Sequence, residues 1–265
     1  MTIITDNRTD ALAEELLGAL RGGYTLPPLT DRYPDMTIDE AYRISLQALR
    51  AREAEGERLI GKKIGVTSRA VQEMLNVHQP DFGFLTDRML YANGSTISLA
   101  QAGLIQPRAE GEIAFMLSDD LPASGVTRDA VLAATEWVAP CFEIVDSRIE
   151  AWQIRIQDTV ADNASCGVFV IGESRASPRE LDLARVRMTI HQNDSLVAEG
   201  SGSAVQGHPA EAVAWLANTL GAYGLPLRRG DLILSGALAP LLPVTAGDHF
   251  ALTIEGLGSS HIAFC

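Results

Sequence analysis

Leu12, Leu16, Leu17 and Leu20 recur at helical spacing, and the run stops at Gly22-Gly23, so the pattern predicts an amphipathic helix ending there. After a turn-rich stretch, Thr37-Ile38-Asp39-Glu40 has the form of a capping box, in which the Thr hydroxyl and the Glu carboxylate reciprocally satisfy free backbone donors. The helix behind it runs through Ala41, Ile44 and Leu49 towards Gly56. From Leu59 the texture changes to short apolar runs separated by Gly, Pro and Asp. These give candidate strands at 59–64, 112–117, 141–145, 168–171, 187–191, 232–234, 250–254 and 261–264. Short helices are expected after Ser68 and Thr127, and a longer one over 209–223, closed by Gly224. Strands outnumber helices without alternating regularly with them. That argues for an α+β chain with a mixed β core and helical decoration, and against a doubly wound sheet.

Composition narrows the partners. At 265 residues, 46% hydrophobic and 21% charged, the chain has ample material for a core as one large domain or two modest ones. Its 34 acids against 21 bases give a formal charge of −13, which repels phosphate backbones and argues against nucleic acid. No stretch approaches the roughly 20 apolar residues that span a bilayer. The start, MTIITDNRTDALAEELL, lacks a basic segment followed by an apolar run, so no secretory signal is expected. Cys141, Cys166 and Cys265 are odd in number and widely spaced, which suits a reducing cytoplasm, each thiol serving as a small buried hydrophobe.

Several acids carry candidate chemistry. Glu110 and Glu112 flank Gly111 at the start of a strand, where residues i and i+2 project from one face and converge. Alone, that pair also reads as an exposed acidic strand face. Glu143 changes the weighing, because it lies inside the apolar Cys141-Phe142-Glu143-Ile144-Val145, where an unpaired charge is costly. Three carboxylates without a His or Cys cluster suit a hard divalent cation, Mg²⁺ or Mn²⁺.

Lys62 and Lys63 sit within the apolar run that ends at Gly65, and adjacent strand residues face opposite ways. Lys63 shares its face with Gly61 and Gly65, yet periodicity alone does not choose between the two lysines. In His78-Gln79-Pro80-Asp81-Phe82-Gly83, a turn-rich segment, Asp81 is a loop carboxylate placed to act as a general base or as a plain turn residue. Asp158-Thr159-Val160-Ala161-Asp162-Asn163-Ala164-Ser165 packs hydrogen-bonding side chains among small residues. Leu234-Ser235-Gly236 offers a hydroxyl and backbone N–H groups to an anion, or forms a turn without a ligand.

Taken together, Gly61-Lys62-Lys63-Ile64-Gly65-Val66-Thr67-Ser68, Gln79–Gly83, Gln106-Pro107-Arg108-Ala109-Glu110-Gly111-Glu112 and Asp158–Ser165 resemble the 2-hydroxypenta-2,4-dienoate (2-keto-4-pentenoate) hydratases. These act in meta-cleavage pathways for aromatic compounds and belong to the fumarylacetoacetate hydrolase superfamily. The 4-oxalocrotonate decarboxylases share the carboxylate pair and Asp162-Asn163-Ala164-Ser165, but Gln79–Gly83 and Cys166-Gly167 resemble the hydratases.

The resemblance covers nearly the whole chain. It implies a mixed β-barrel or roll-like catalytic domain over 59–265, preceded by a helical segment over 1–58. It also implies a metal held by Glu110, Glu112 and Glu143, a homo-oligomer, and in some pathways association with a downstream aldolase or the companion decarboxylase. The expected reaction is addition of water to a short 2-hydroxy-2,4-dienoate, giving a 4-hydroxy-2-oxo acid. Asp81 would then activate water or shuttle a proton, Lys63 would bind the enolate oxygen or carboxylate, and Ser165 and Ser235 would position substrate or water. Two alternatives stand beside the hydratase: a decarboxylase on the same scaffold, and a non-catalytic partner of a pathway enzyme.

Overall fold

Strand phase organises the molecule around one large sheet. The computed structural model describes residues 7–74 and 77–265 of the chain. Helices α1 (Asn7–Gly22), α2 (Leu29–Arg32) and α3 (Ile38–Ala54) lead into β1 (Leu59–Gly65), α4 (Arg69–Met74), β2 (Asp81–Thr86), β3 (Leu90–Tyr91) and β4 (Thr96–Ile97). The long strands β5 (Arg108–Leu117) and β6 (Thr135–Val145) flank α5 (Arg128–Ala134), and α6 (Ile156–Ala161) precedes β7 (Cys166–Ile171). The rest comprises β8 (Arg187–Gln192), β9 (Ser195–Ser201), α7 (Pro209–Ala222), β10 (Leu232–Leu234), β11 (Leu242–Pro243), β12 (His249–Ile254) and β13 (Gly258–Phe264).

Eight strands form a mixed sheet in the order β2–β1–β10–β5–β6–β7–β3, with β11 pairing β5 off that path. Five more form a second sheet in the order β4–β13–β12–β8–β9. One face of β5, carrying Ala109, Gly111, Ile113 and Phe115, is buried in the main core. A Cβ at Gly111 would crowd Met188, Ile190 and Leu252 of the second sheet, so glycine here lets the two sheets approach. The opposite face carries Glu110, Glu112 and Ala114. Below the acids, Ala114, Cys141, Phe169, Leu232 and Leu234 form a separate apolar cluster that floors this face.

The leading helices belong to the same core. Leu12 and Leu16 of α1 and Tyr42 and Ile44 of α3 pack with Phe82 and Phe84 of β2, and the Tyr42 ring stacks on Phe82 at 4.1 Å. Thr37 caps α3 by accepting from the Glu40 N–H, but only this half of the predicted box forms. The Glu40 carboxylate instead accepts from Arg8 Nε at 2.6 Å, a charged partner that outcompetes the Thr37 backbone.

Three other expectations change. Residues 81–86 form the fully buried strand β2 instead of a loop, because Phe82, Phe84 and Leu85 pair it to β1 and the core. The β6 strand begins at Thr135, well before Cys141, and runs through Pro140. Pro140 faces the side where β7 has ended, since its carbonyl accepts from Gly172, just past Ile171, and no ladder donor is missed there. The polar Ser195–Ser201 strand, β9, is an edge strand whose sequence carries little apolar signal. Among the described residues, no helix is long and apolar enough to cross a membrane. The reading of the chain start rests partly on residues 1–6, which lie outside the described residues.

Candidate metal centre and its acid–base neighbours

The register of β5 and β6 places Glu110 opposite Glu143 and Glu112 opposite Cys141. One carboxylate oxygen from each of Glu110, Glu112 and Glu143 lies within 4.8 Å of the others, a spacing three ligands of one cation can share. Glu112 and Glu143 are fully buried, whereas Glu110 is half-buried and forms the open side.

Beside them, β1 brings in Lys63, whose Nζ lies 3.1 Å from Glu143 Oε1 and donates to the Ala164 carbonyl at 2.9 Å. The pleat turns Lys62 the other way, where its Nζ donates to Asp231 at 2.7 Å. The two glycines on the Lys63 face have different uses. A Cβ at Gly61 would strike the Leu232 backbone, while a Cβ at Gly65 would run into Asp81 Oδ1 and stand 3.4 Å from Lys63 Nζ. Gly65 therefore makes the space in which Asp81, its partner across β1–β2, meets the lysine.

Residues 163–165 supply groups that a list of reactive side chains overlooks. Asn163, Ala164 and Ser165 take φ values of 56°, 51° and 53°, a left-handed turn unusual for side-chain-bearing residues. Asn163 holds it in place by accepting from Phe84 N at 2.7 Å and donating to Phe84 O at 3.0 Å. A Cβ at Gly83 would strike the Asn163 carbonyl, which explains the glycine in the adjacent strand. The result aims the Ala164 carbonyl at Lys63. Ser165 Oγ shares a 3.0 Å hydrogen bond with Thr159 Oγ1.

On the far side, Ser235 Oγ is buried without a partner, and Gly236 N donates to Glu112 Oε2 at 2.8 Å. Backbone groups of this kind leave almost no trace in a sequence; the adjacent glycines were the available signal. His78 and Gln79 are exposed. Cys141 and Cys166 are buried, but Cys265 is exposed, contrary to its reading as a core residue.

The electrostatics follow from burial and crowding. Burial, reinforced by the charge of Glu143, pushes Glu110 up to about 7 against the opposing pull of Lys63. Burial likewise raises Glu112 well above the ordinary carboxylate range. Asp81 rises to about 6, chiefly from burial, with Lys63 pulling it back. Burial disfavours the Lys63 ammonium, but the charges of Glu143 and Asp81 outweigh it and hold the group above its usual value. Glu112 Oε1, both oxygens of Glu143 and Asp81 Oδ1 are buried without hydrogen-bond partners, Glu143 Oε1 having only its ion-pair contact with Lys63. Such atoms are costly unless something binds them. A divalent cation fits the three glutamates on both counts: it would satisfy the orphaned oxygens and neutralise the like charges.

Comparison with known proteins shows the family. The family described as "Fumarylacetoacetate (FAA) hydrolase C-terminal" matches residues 51–262. A 2-hydroxyhexa-2,4-dienoate hydratase from Comamonas testosteroni is 66% identical over 251 residues, covering 95% of each chain. A 2-hydroxypent-2,4-dienoate hydratase from Pseudomonas putida is 57% identical over 214 residues, 81% of this chain and 96% of that one. The structure of the 4-oxalocrotonate decarboxylase from Pseudomonas putida G7, complexed with magnesium and adipate, superposes with a TM-score of 0.95 at 33% identity, covering 100% of both chains. The chain is a member of the hydratase and decarboxylase family within the fumarylacetoacetate hydrolase superfamily.

Proposed function

We propose that the protein is a hydro-lyase that adds water to 2-hydroxypenta-2,4-dienoate or a close homologue, giving 4-hydroxy-2-oxopentanoate in the case of the pentadienoate. The observation that carries this reading is the set of buried, unsatisfied carboxylates beside Lys63 and Asp81, in a chain 66% identical to a dienoate hydratase. Glu110, Glu112 and Glu143 would hold Mg²⁺ or Mn²⁺, which when bound supplies Lewis-acid polarisation of a 2-oxo carboxylate.

The chain's own groups do the rest. Lys63, kept protonated by its acidic neighbours, holds the enolate oxygen or carboxylate of the substrate. Its hydrogen bond to Ala164 and its contact with Glu143 fix the ammonium before substrate arrives. The dienoate first ketonises, the 2-hydroxyl losing its proton and C5 gaining one, to an α,β-unsaturated 2-oxo acid. Asp81 Oδ1, free of hydrogen-bond partners, then takes a proton from the water whose oxygen adds at C4, and a proton is returned at C3. Ser235 and Ser165 position substrate or water, Ser235 with an uncommitted hydroxyl and Ser165 with one already shared with Thr159. The apolar floor of Ala114, Leu232, Leu234 and Phe169 keeps bulk water from the reacting carbons.

The same reading places the protein in the cytoplasm, in meta-cleavage breakdown of aromatic compounds. It gives a homo-oligomer able to associate with a downstream aldolase or companion decarboxylase, with 1–58 as a helical segment and 59–265 as the catalytic domain. A second reading, 4-oxalocrotonate decarboxylase, is favoured by the full-length superposition on that enzyme. One experiment decides. The protein is incubated with Mg²⁺ and enzymatically generated 2-hydroxypentadienoate or oxalocrotonate, and dienol absorbance and products are followed. The expected result is a 4-hydroxy-2-oxo acid from the dienoate. Release of CO₂ from oxalocrotonate without hydration of the dienoate would favour the decarboxylase, and no turnover of either would favour a non-catalytic partner.

A further inference from the structure

A chain carrying −13 gives a negatively charged substrate no general attraction, so any attraction must be local. Lys63 lies deep in the site and its charge is already committed to Glu143 and Ala164. Arg108 is placed differently. It begins β5 and occupies the next position outward on the face that carries Glu110 and Glu112, about 7 Å along the strand from Glu110. It lines a groove of about 450 Å³, with Leu104, Pro243 and Val244 forming part of the apolar wall. Its guanidinium lies over the Trp152 ring at 4.6 Å, and the indole is itself fixed by a hydrogen bond from Nε1 to the Gln106 carbonyl.

Among the described residues, the other buried or half-buried arginines, Arg8, Arg52 and Arg148, are engaged by carboxylates. Among the described residues Arg108 finds neither an ion-pair partner nor a side-chain hydrogen bond, only the Trp152 ring. A planar cation with its donors free, held rigid on an aromatic face beside the open edge of the acid cluster, is suited to a carboxylate.

We propose that Arg108 is a substrate-recruiting residue. In this proposal, which rests on the hydratase reading, its guanidinium captures the carboxylate of the incoming 2-hydroxydienoate in the Trp152 groove, before the anion passes Glu110. Trp152 is then a positioning residue that keeps the guanidinium facing the groove. The role is electrostatic and acts on association, so it should appear in KM and in salt dependence more than in kcat.

The test uses Arg108→Gln, Arg108→Glu and Arg108→Lys in the full chain with Mg²⁺. At low ionic strength, Arg108→Gln is expected to lower kcat/KM about tenfold while kcat stays within about twofold, and Arg108→Glu to lower it further. Arg108→Lys should retain most of the wild-type value. The gap should close near 1 M salt, where the Debye length is about 3 Å. Calorimetric binding of 2-oxopentanoate, an unreactive 2-oxo acid, should weaken in the same order and needs no turnover. Thus a wild-type protein that binds 2-oxopentanoate in an Arg108-dependent manner but does not hydrate the dienoate would overturn the hydratase reading alone. Wild-type kcat/KM, 2-oxopentanoate affinity and salt response in Arg108→Gln, with melting temperature preserved, would overturn the recruiting role. Equal losses in Arg108→Lys and Arg108→Gln at every salt concentration would also overturn it, since they would mean that packing on Trp152 is what matters.

Discussion

Two sets of buried acids lie within this fold, and they are satisfied differently. Asp146 accepts from the backbone N–H groups of Ile105 and Gln106; Asp158 accepts from Thr30 and Arg155; and Asp162 accepts from Arg148 N at 2.8 Å and from Arg148 Nε at 2.5 Å. Each is as buried as Glu112 or Glu143, and burial pushes Asp162 up to about 6 even against Arg148. Yet of the seven buried side-chain polar atoms without partners among the described residues, five belong to Asp81, Glu112, Glu143 and Ser235. Burial therefore does not distinguish a working carboxylate from a structural one; incomplete satisfaction does. The first set ties loops and helices to their neighbours, and the second is left open for a ligand.

The difference is sharpest when one member of each set is removed. Glu110→Gln takes one charge from a crowded site, so the melting temperature should hold or rise. Mg²⁺-dependent kcat/KM should fall by roughly 10³ or more, in line with losing one electrostatic group from an active site. Asp162→Ala does the reverse by leaving the buried Arg148 without its close counter-ion, with only Asp146 at 4.0 Å remaining, at a cost of about 3 kcal/mol in urea unfolding. An unfolded Glu110→Gln, or an Asp162→Ala as stable as wild type, would erase the distinction.

Cation binding gives the next effect. Glu110, Glu112 and Asp81 all have folded-state values raised above those of the unfolded chain. Glu110, at about 7, and Asp81, at about 6, therefore hold more protons in the folded than in the unfolded protein between about pH 4 and 7. These groups favour folding at the acid end, and their contribution is lost as pH rises through that window. Mg²⁺ should offset the loss, raising stability by about 2.7 kcal/mol at a hundredfold excess over its dissociation constant. Calorimetry with Mg²⁺ or with EDTA should show a larger shift at pH 8 than at pH 5.5. An equal shift at both would mean that the cation does not sit on these carboxylates.

Asp81 should leave its mark on rate. As a base with a value of about 6, it is unprotonated above that pH, so kcat/KM at saturating Mg²⁺ should fall about tenfold per pH unit below 6. Asp81→Asn should remove this acid limb together with most of the activity. A limb that persists in the variant would assign the titration to another group.

Much of this was legible in the chain. The i, i+2 spacing of Glu110 and Glu112 and the expense of Glu143 in an apolar run place three acids near one point, because strand geometry is simple. Asp81 was legible as a residue and not as a strand, since Gln79-Pro80 and Gly83 read as turn formers until β1 supplies a partner. The Asn163–Ser165 turn was harder still. Its left-handed backbone is imposed by Phe84 and Lys63, some 80 and 100 positions away, and no local propensity encodes it. The first half of β6, up to Pro140, lies outside the strand expected at 141–145, because whether a proline's missing N–H matters depends on where β7 ends.

Lys62 and Lys63 give the smallest predicted effect and the cleanest control. They are consecutive residues of one strand, both nearly buried, and differ in which side of the pleat they occupy. Lys62 pairs with Asp231 at 7% and 14% side-chain exposure, and the same Asp231 oxygen also accepts from Arg228 N at 2.8 Å. With Lys62→Met the stem keeps its packing, and Asp231 retains a backbone donor and access to water. The cost should be about 1 kcal/mol or less, with kcat/KM within twofold of wild type. Lys63→Met strips Glu143 of its cation and the substrate of its anchor, so activity should collapse. Denaturant midpoints and kcat/KM on the pair settle it: if Lys62→Met impaired catalysis as much as Lys63→Met, the division of labour between the two faces of the sheet would be wrong.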